Sequence, residues 1–399
     1  MPLTTFSCFS GTYTLERRPP PAPQQPLQAW DAADEYLLSA AAPLLRDSPG
    51  GASRVLVVND AFGALGVALH AYRPHSWGDS FVARLALGDN LRRNDLPETA
   101  VRFVPSTTAP PGTDGSGDDD DGPGYDAVLW RVPKARALFE QQRAALRPLL
   151  RPDTLVLAGG MVKHLTDSAK EVLGGLGDVA VLPVQRKAVL LKVTPRPDLP
   201  PLPASEPETL LAVAEYGLRL ASGPNVFARE KLDEGARLFL EQFDRLPRGA
   251  AAARIADLGC GSGVLGIVAK RLRPGAEVHF FDESYQAVAA AEENYRRNGL
   301  DAEEPDGHFH VDDGLTYYDG EPFDLVLCNP PFHQAHVVGD QTAWQMFTQS
   351  RRHLRPGGEL WVVGNRHLDY HLKLRRLFGN CRQIAAHPKF VVLAATAKR

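Results

Sequence analysis

The sequence predicts an α/β protein made of two tandem Rossmann-like domains from an internal duplication, the N-terminal one degenerate. Three observations carry that expectation. Apolar runs that end in turn-forming residues alternate with helical stretches, the rhythm of βαβ units. These runs follow the same order in both halves of the 399-residue chain. Each half also closes a helix with Arg-Arg-Asn-x-Leu, at 92–96 and 296–300, and repeats of that kind point to duplication.

The elements can be justified in order. In the first half, a strand over 54–58 runs into Asn59-Asp60-Ala61-Phe62-Gly63-Ala64-Leu65-Gly66. Trp77-Gly78-Asp79-Ser80 then precedes the helix that closes at 92–96. A strand over 125–129 leads to Arg131-Val132-Pro133-Lys134, and another follows over 154–157. In the second half, a strand over 254–256 runs into Asp257-Leu258-Gly259-Cys260-Gly261-Ser262-Gly263, and a strand over 278–281 ends in Asp282-Glu283-Ser284. An apolar strand over 323–328 is stopped by Asn329-Pro330-Pro331-Phe332, because proline fixes φ and offers no N–H. A helix over 344–354 and a strand over 359–363 complete the half. The expected organisation is a degenerate domain over 1–194, a stiff proline-rich linker over 195–214 and an active domain over 215–399, entered by an extended unit over 215–228. The five-aspartate insert at 113–124 reads as a disordered, solvated surface loop.

Composition excludes little. Net charge is −4, but five of the acids sit in that insert, so the remainder is near +1. The four cysteines, Cys8, Cys260, Cys328 and Cys381, have no metal-like spacing and read as reduced thiols. No apolar run approaches a membrane span, and residues 1–14 lack a basic start and a long apolar stretch, so no signal peptide and a cytoplasmic protein are expected.

Chemistry concentrates in the second half. The glycines after its first strand permit a tight turn and close backbone approach, as dinucleotide-binding loops do. Asp282 ends the next strand, where a carboxylate can accept both hydroxyls of a ribose. That pair fits a nicotinamide cofactor as well. Asp257 ahead of the loop and the Asn-Pro-Pro turn discriminate, since hydride transfer needs neither. The turn offers an Asn side chain, a proline carbonyl and an aromatic ring, which suit a planar –NH2 group. The first half has Arg131-Val132-Pro133-Lys134 in that place and lacks the Gly-x-Gly-x-Gly loop. His333 and His336 flank the motif without further ligands in register, so no metal is expected.

The combination resembles the Rossmann-like S-adenosylmethionine-dependent methyltransferases. Residues 27–38, 59–65 and 225–227, with Asn329-Pro330-Pro331-Phe332-His333-Gln334, Asn365-Arg366-His367-Leu368-Asp369-Tyr370 and Phe378-Gly379-Asn380-Cys381, narrow the resemblance. They are similar to the ribosomal RNA guanine-N2 methyltransferases, specifically the large-subunit (23S rRNA) branch, whose sister branch acts on 16S rRNA. The resemblance implies S-adenosyl-L-methionine as cofactor and 23S ribosomal RNA as partner. It puts Asp257, Gly259, Gly261 and Gly263 at the cofactor, Asp282 at its ribose and Asp312 or Asp313 near its adenine. Two adjacent acids after a strand are also what a solvated turn looks like. It makes Asn329 and Pro330 the acceptors for the target amine, with Phe332 stacked on the base.

Two basic clusters follow, Arg351, Arg352 and Arg355, then Arg366, His367, Lys373, Arg375 and Arg376. Arg366, Lys373 and Arg376 are the candidate RNA contacts, Lys373 and Arg376 sharing a helix face. The same turn chemistry would serve a protein-glutamine N-methyltransferase, although its usual aromatic is Tyr. A non-catalytic RNA chaperone is the reading from another class. The intact glycines and Asn329 oppose it. The sequence leaves oligomeric state open.

Overall fold

The computed structural model describes residues 4–21, 27–46, 53–112, 124–165, 167–202, 210–221, 223, 225, 232–247, 253–300, 306–331 and 336–398, without the side chains of 167 and 336–340. Most of the acidic insert and Phe332 therefore lie outside the described residues. The chain divides into two compact units, Met1–Ala204 and Ser205–Arg399.

The first unit opens with a hairpin of β1 (Thr5–Cys8) and β2 (Gly11–Thr14), then α1 (Ala32–Arg46). Next come β3 (Val55–Val58), α2 (Ala64–Ala68), β4 (His75–Gly78), α3 (Phe81–Arg93), β5 (Arg102–Pro105) and β6 (Ala127–Arg131). It ends with α4 (Arg136–Leu146), β7 (Leu155–Met161), α5 (Asp167–Gly174), β8 (Gly177–Val181) and β9 (Ala188–Pro195).

The second unit repeats this order. A hairpin of β10 (Leu210–Val213) and β11 (Leu218–Ala221) precedes α6 (Glu234–Leu240). Then follow β12 (Arg254–Leu258), α7 (Val264–Leu272), β13 (Glu277–Asp282), α8 (Tyr285–Arg297), β14 (Gly307–Val311) and β15 (Phe323–Cys328). The last elements are α9 (His336–His353), β16 (Leu354–Asn365), α10 (Tyr370–Phe378), β17 (Arg382–Ala386) and β18 (Phe390–Thr396).

The two sheets have one topology. One is ordered β5-β4-β3-β6-β7-β9-β8, the other β14-β13-β12-β15-β16-β18-β17. In each sheet one strand, β9 or β18, runs antiparallel to both of its neighbours, and the remaining pairings are parallel. Cross-strand register aligns the halves residue by residue. Leu258 lies opposite Cys328 and Val58 opposite Trp130, so Arg131 stands where Asn329 does. Apolar residues on both faces of each sheet feed two core clusters per unit, as parallel strands buried on both sides require.

Local chemistry explains the repeat. Ser80 and Ser284 cap α3 and α8, accepting from the N–H of Ala83 at 3.0 Å and Ala287 at 3.1 Å. Asn90 and Asn294, fully buried on those helices, clamp the hairpins. Asn294 Oδ1 accepts from the Ala221 N–H at 2.6 Å, and its Nδ2 donates to the Ala221 carbonyl at 2.8 Å. Asn90 does the same to Glu16, at 2.9 Å each way. The Asn of each Arg-Arg-Asn closure repeats the clamp two residues earlier in the strand, Asn94 on Thr14 and Asn298 on Arg219. The shared closures are thus sockets for the shared hairpins, which the sequence did not reveal.

Two expectations shift. The expected linker over 195–214 contains the division between the units, but Leu210–Val213 already belongs to the second unit as β10, paired with β11. Its alternating exposure marks a half-buried strand rather than a spacer. Helix α9 begins at His336 instead of 344, closer to the Asn-Pro-Pro turn. Among the described residues no helix is long and apolar enough to cross a membrane.

Candidate active site

Strand order reverses between β12 and β15, and open α/β sheets bind ligands at the carboxyl ends of strands at such a point. The two motifs lie there side by side, the glycine loop after β12 and the Asn-Pro-Pro turn after β15.

Both Gly259 and Cys260 donate their N–H groups to the Phe281 carbonyl, at 2.8 and 2.9 Å, which turns the chain off β12 across the end of β13. Gly261 has φ +54°, and a Cβ there would meet nothing within 4 Å among the described residues. Its backbone borders open space that a ligand can enter. Gly263, at φ +82°, is a packing glycine instead, since a Cβ would lie 3.0 Å from the Ala291 Cβ on α8.

Asp282 faces the loop. One carboxylate oxygen accepts from the Gly261 N–H at 3.0 Å and the other from the Ser284 N–H at 3.0 Å. Asp257 stands beneath the loop, 1% exposed, accepting from the Gly266 N–H at 2.8 Å in the first turn of α7. Its Oδ1 is buried without a partner among the described residues. Burial, reinforced by the Asp282 charge, pushes its carboxyl up to about 8. Asp257 therefore supports the loop from below, and its reach to a cofactor runs through that loop.

Asp312 is no solvated turn residue. It is 3% exposed and accepts the Tyr317 N–H with both oxygens, and burial raises its pKa. Its backbone N–H donates to the Asp282 carbonyl at 3.0 Å, which sets it beside the ribose candidate. Asp313 is half-buried and accepts from Gln345 Nε2 of α9 at 2.9 Å.

Asn329 is half-buried, yet its Oδ1 is inaccessible to solvent and has no hydrogen-bond partner among the described residues. A buried acceptor without a donor costs about 1–3 kcal/mol unless something supplies one. Pro330 beside it is buried. The glycine loop and Asn329 thus share one end of the sheet on neighbouring strands, with Met346 of α9 against Gly259.

The basic clusters separate. Helix α9 runs back from the turn, so Arg351 and Arg352 sit in its last turn and Arg355 pairs with Asp324 at the start of β15. That is the amino-terminal edge of the sheet, away from Asn329. Arg366 follows β16 at the carboxyl edge, and Lys373 and Arg376 share one face of α10, as their spacing required. Cys260 and Cys328 are buried packing thiols.

Sequence reasoning missed Asn294. Besides clamping the hairpin, it donates to the Ser262 carbonyl of the glycine loop at 2.9 Å. Asn90 donates likewise to Phe62 at 2.8 Å. An Asn four residues before each Arg-Arg-Asn closure's own Asn was the available signal.

The first unit's corresponding site is filled by its own charges. Arg131 reaches Asp31 with both terminal nitrogens, at 2.6 and 2.8 Å, and Asp34 at 3.2 Å. Asn59 takes Gly259's place with φ +61°, and Gly78 stands in the place of Asp282. Asn59 Nδ2 donates to the Arg131 carbonyl and to Gln142 Oε1, at 2.9 Å each.

Glu277, His279 and His308 bring ligand-type atoms within 4.8 Å of one another, a cluster the sequence did not suggest. The two imidazoles stack at 25°, and both bring Nε2 to Glu277 Oε1, at 2.9 and 3.2 Å. Arg254 donates to both Glu277 and His279. The first unit has the same Arg–His–aromatic arrangement in Arg54, His75 and Tyr125, so that part of the cluster belongs to the repeated architecture.

Known proteins place this geometry in a lineage. Residues 217–394 match the methyltransferase small domain, and residues 3–197 match the RLMG N-terminal domain. The chain is similar over all its length (99% of it, 98% of the other) to a solved T. thermophilus 16S rRNA N2 methyltransferase in complex with AdoMet and guanosine. The TM-score is 0.72 at 21% identity, a likeness of fold. A "Ribosomal RNA large subunit methyltransferase G" of Stutzerimonas stutzeri is 48% identical over 94% of this chain and 95% of its own. Its counterpart in Pseudomonas paraeruginosa is 46% identical over 95% and 96%. With near half of its residues shared across almost its whole length, the chain belongs to the ribosomal RNA large subunit methyltransferase G family.

Proposed function

We propose that this chain transfers a methyl group from S-adenosylmethionine to the exocyclic N2 amine of a guanine in 23S ribosomal RNA, in the cytoplasm. The observation that carries the site assignment is the buried Oδ1 of Asn329, unpartnered among the described residues, beside the glycine loop.

The residues fit the cofactor. Gly261 borders open space and Asp282 offers a carboxylate at its edge, with Asp312 and Asp313 just past the end of β14. S-adenosylmethionine supplies a methyl group on a sulfonium, activated without help from the protein. What the protein must do is hold and aim the amine. The guanine N2 lone pair is delocalised into the ring and a weak nucleophile. Asn329 Oδ1 and the Pro330 carbonyl each accept one N–H, which favours a pyramidal nitrogen with its lone pair directed at the methyl carbon. The amine displaces the neutral thioether in line. The carbon–sulfur electron pair goes to sulfur, and the nitrogen releases its extra proton to solvent. Positioning and electrostatics supply the rate, without a covalent enzyme intermediate. Phe332 stacks on the guanine, worth about 1–3 kcal/mol, and the base leaves its own stack at a cost of a few kcal/mol. Arg366, Lys373 and Arg376 contact RNA phosphate, and no resident metal is required.

Incubation with methyl-labelled S-adenosylmethionine tests this. Protein-free 23S RNA, 16S RNA, assembled subunits and release factors are offered in turn. Label in N2-methylguanine of 23S RNA is expected; label confined to 16S RNA or to protein overturns the reading.

A further inference from the structure

The face of α10 that carries Lys373 and Arg376 is more than a patch of charge. Together with Trp344 of α9 and Leu372 it lines a pocket of about 320 Å³. The Arg376 guanidinium lies 5.3 Å over the centroid of the Trp344 ring. Leu372 is 55% exposed, a large aliphatic side chain left on the surface beside it. Lys373 is held in place, its Nζ donating to the Leu368 carbonyl at 3.0 Å and lying 5.1 Å from the Tyr370 ring centroid. A planar aromatic, a planar cation and an aliphatic wall, with an ammonium at the rim, match a nucleobase with its phosphate.

The surroundings commit the pocket to a polyanion. Between Arg366 and Arg376 there are four cationic side chains and two histidines against the single acid Asp369. The pocket is also on the correct edge. Helix α10 follows the carboxyl end of β16, and β16 is the neighbour of β15, whose carboxyl end carries Asn329.

Resting on the RNA reading above, we propose that this pocket is a second nucleobase subsite, which holds an unstacked base of the same RNA beside the methylated guanine. It gives the enzyme a grip on single-stranded structure that charge alone does not provide, because stacking is independent of counterion release.

The test measures binding of a 23S RNA fragment without turnover, so it does not depend on where the methyl group goes. Trp344→Ala is expected to weaken RNA binding roughly ten- to a hundredfold with an unchanged salt dependence, and Trp344→Phe to restore most of it. Lys373→Ala is expected to lower the salt slope by about one. Leu372→Glu, at an exposed position, guards against a folding defect and is expected to weaken RNA binding with melting temperature and S-adenosylmethionine affinity unchanged. Wild-type RNA binding by both Trp344→Ala and Leu372→Glu overturns the subsite. So does a loss seen with assembled subunits and absent with protein-free RNA, which would make the pocket a protein contact.

Discussion

Asn329 is where residue chemistry decides most. Its Oδ1 is buried and, among the described residues, unpartnered, which suits the proposed role of accepting a donor that arrives with the substrate. Asn329→Ala is expected to lower kcat by at least about a hundredfold, the scale of losing one preorganised polar contact to the reacting group. S-adenosylmethionine affinity, read by calorimetry, is expected to stay within about threefold. A matching loss of cofactor affinity would make the Asn a scaffold residue. Asp257 makes a different prediction. Burial, with the Asp282 charge, holds its carboxyl near 8, whereas the unfolded chain releases that proton near 3.8. A raised folded-state pKa contributes stability that is full below 3.8 and is lost as pH rises through 8. Asp257→Asn keeps an acceptor for the Gly266 N–H and cannot titrate. Its melting temperature is expected to gain on the wild type steadily from pH 4 to pH 8. A constant difference across that range would show that Asp257 is ionised in the fold.

At the scale of elements, the duplicated asparagine clamp supplies a control within one chain. Asn294 and Asn90 each fix a hairpin strand and a loop carbonyl, with the same three kinds of bond. Replacing either by Ala leaves buried backbone groups unpaired, at about 1–3 kcal/mol each. Both are expected to lower the melting temperature by comparable amounts. Only Asn294→Ala is expected to raise the Kd for S-adenosylmethionine, by about tenfold or more, because only its loop carries Gly261. Equal cofactor affinity in the two variants would reduce Asn294 to a hairpin socket. The serine caps behave more simply, and Ser284→Ala is expected to cost about 1 kcal/mol in denaturant unfolding.

At the scale of the whole molecule, two units of one topology carry one site. In the first, Arg131 lies among Asp31, Asp34 and Asp60, and Gly78 stands where the second has Asp282. Calorimetry is expected to give one S-adenosylmethionine per chain, and a stoichiometry of two would refute the filled-site account. Arg131→Asn, which copies the active unit's residue, is expected to destabilise the chain by about 3–5 kcal/mol without creating a second site, since it strands buried carboxylates. Much of this was legible in the sequence. The strand-stopping Asn-Pro-Pro, the glycines after β12 and the acid after β13 are local signals, because a turn or a close backbone approach restricts which residue stands there. The duplication and the two motifs could therefore be read along the chain. The rest needed the fold. It buried Asp257 beneath its loop and Asp312 behind Tyr317, and it sent Arg351, Arg352 and Arg355 to the far edge of the sheet. It also joined Asn294 to Ser262 across 32 residues, and Trp344 to Arg376 across the same number. These pairings depend on which strand lies beside which and on where each helix returns. No periodicity along the chain records that, because burial and hydrogen-bond partners are set by neighbours in space.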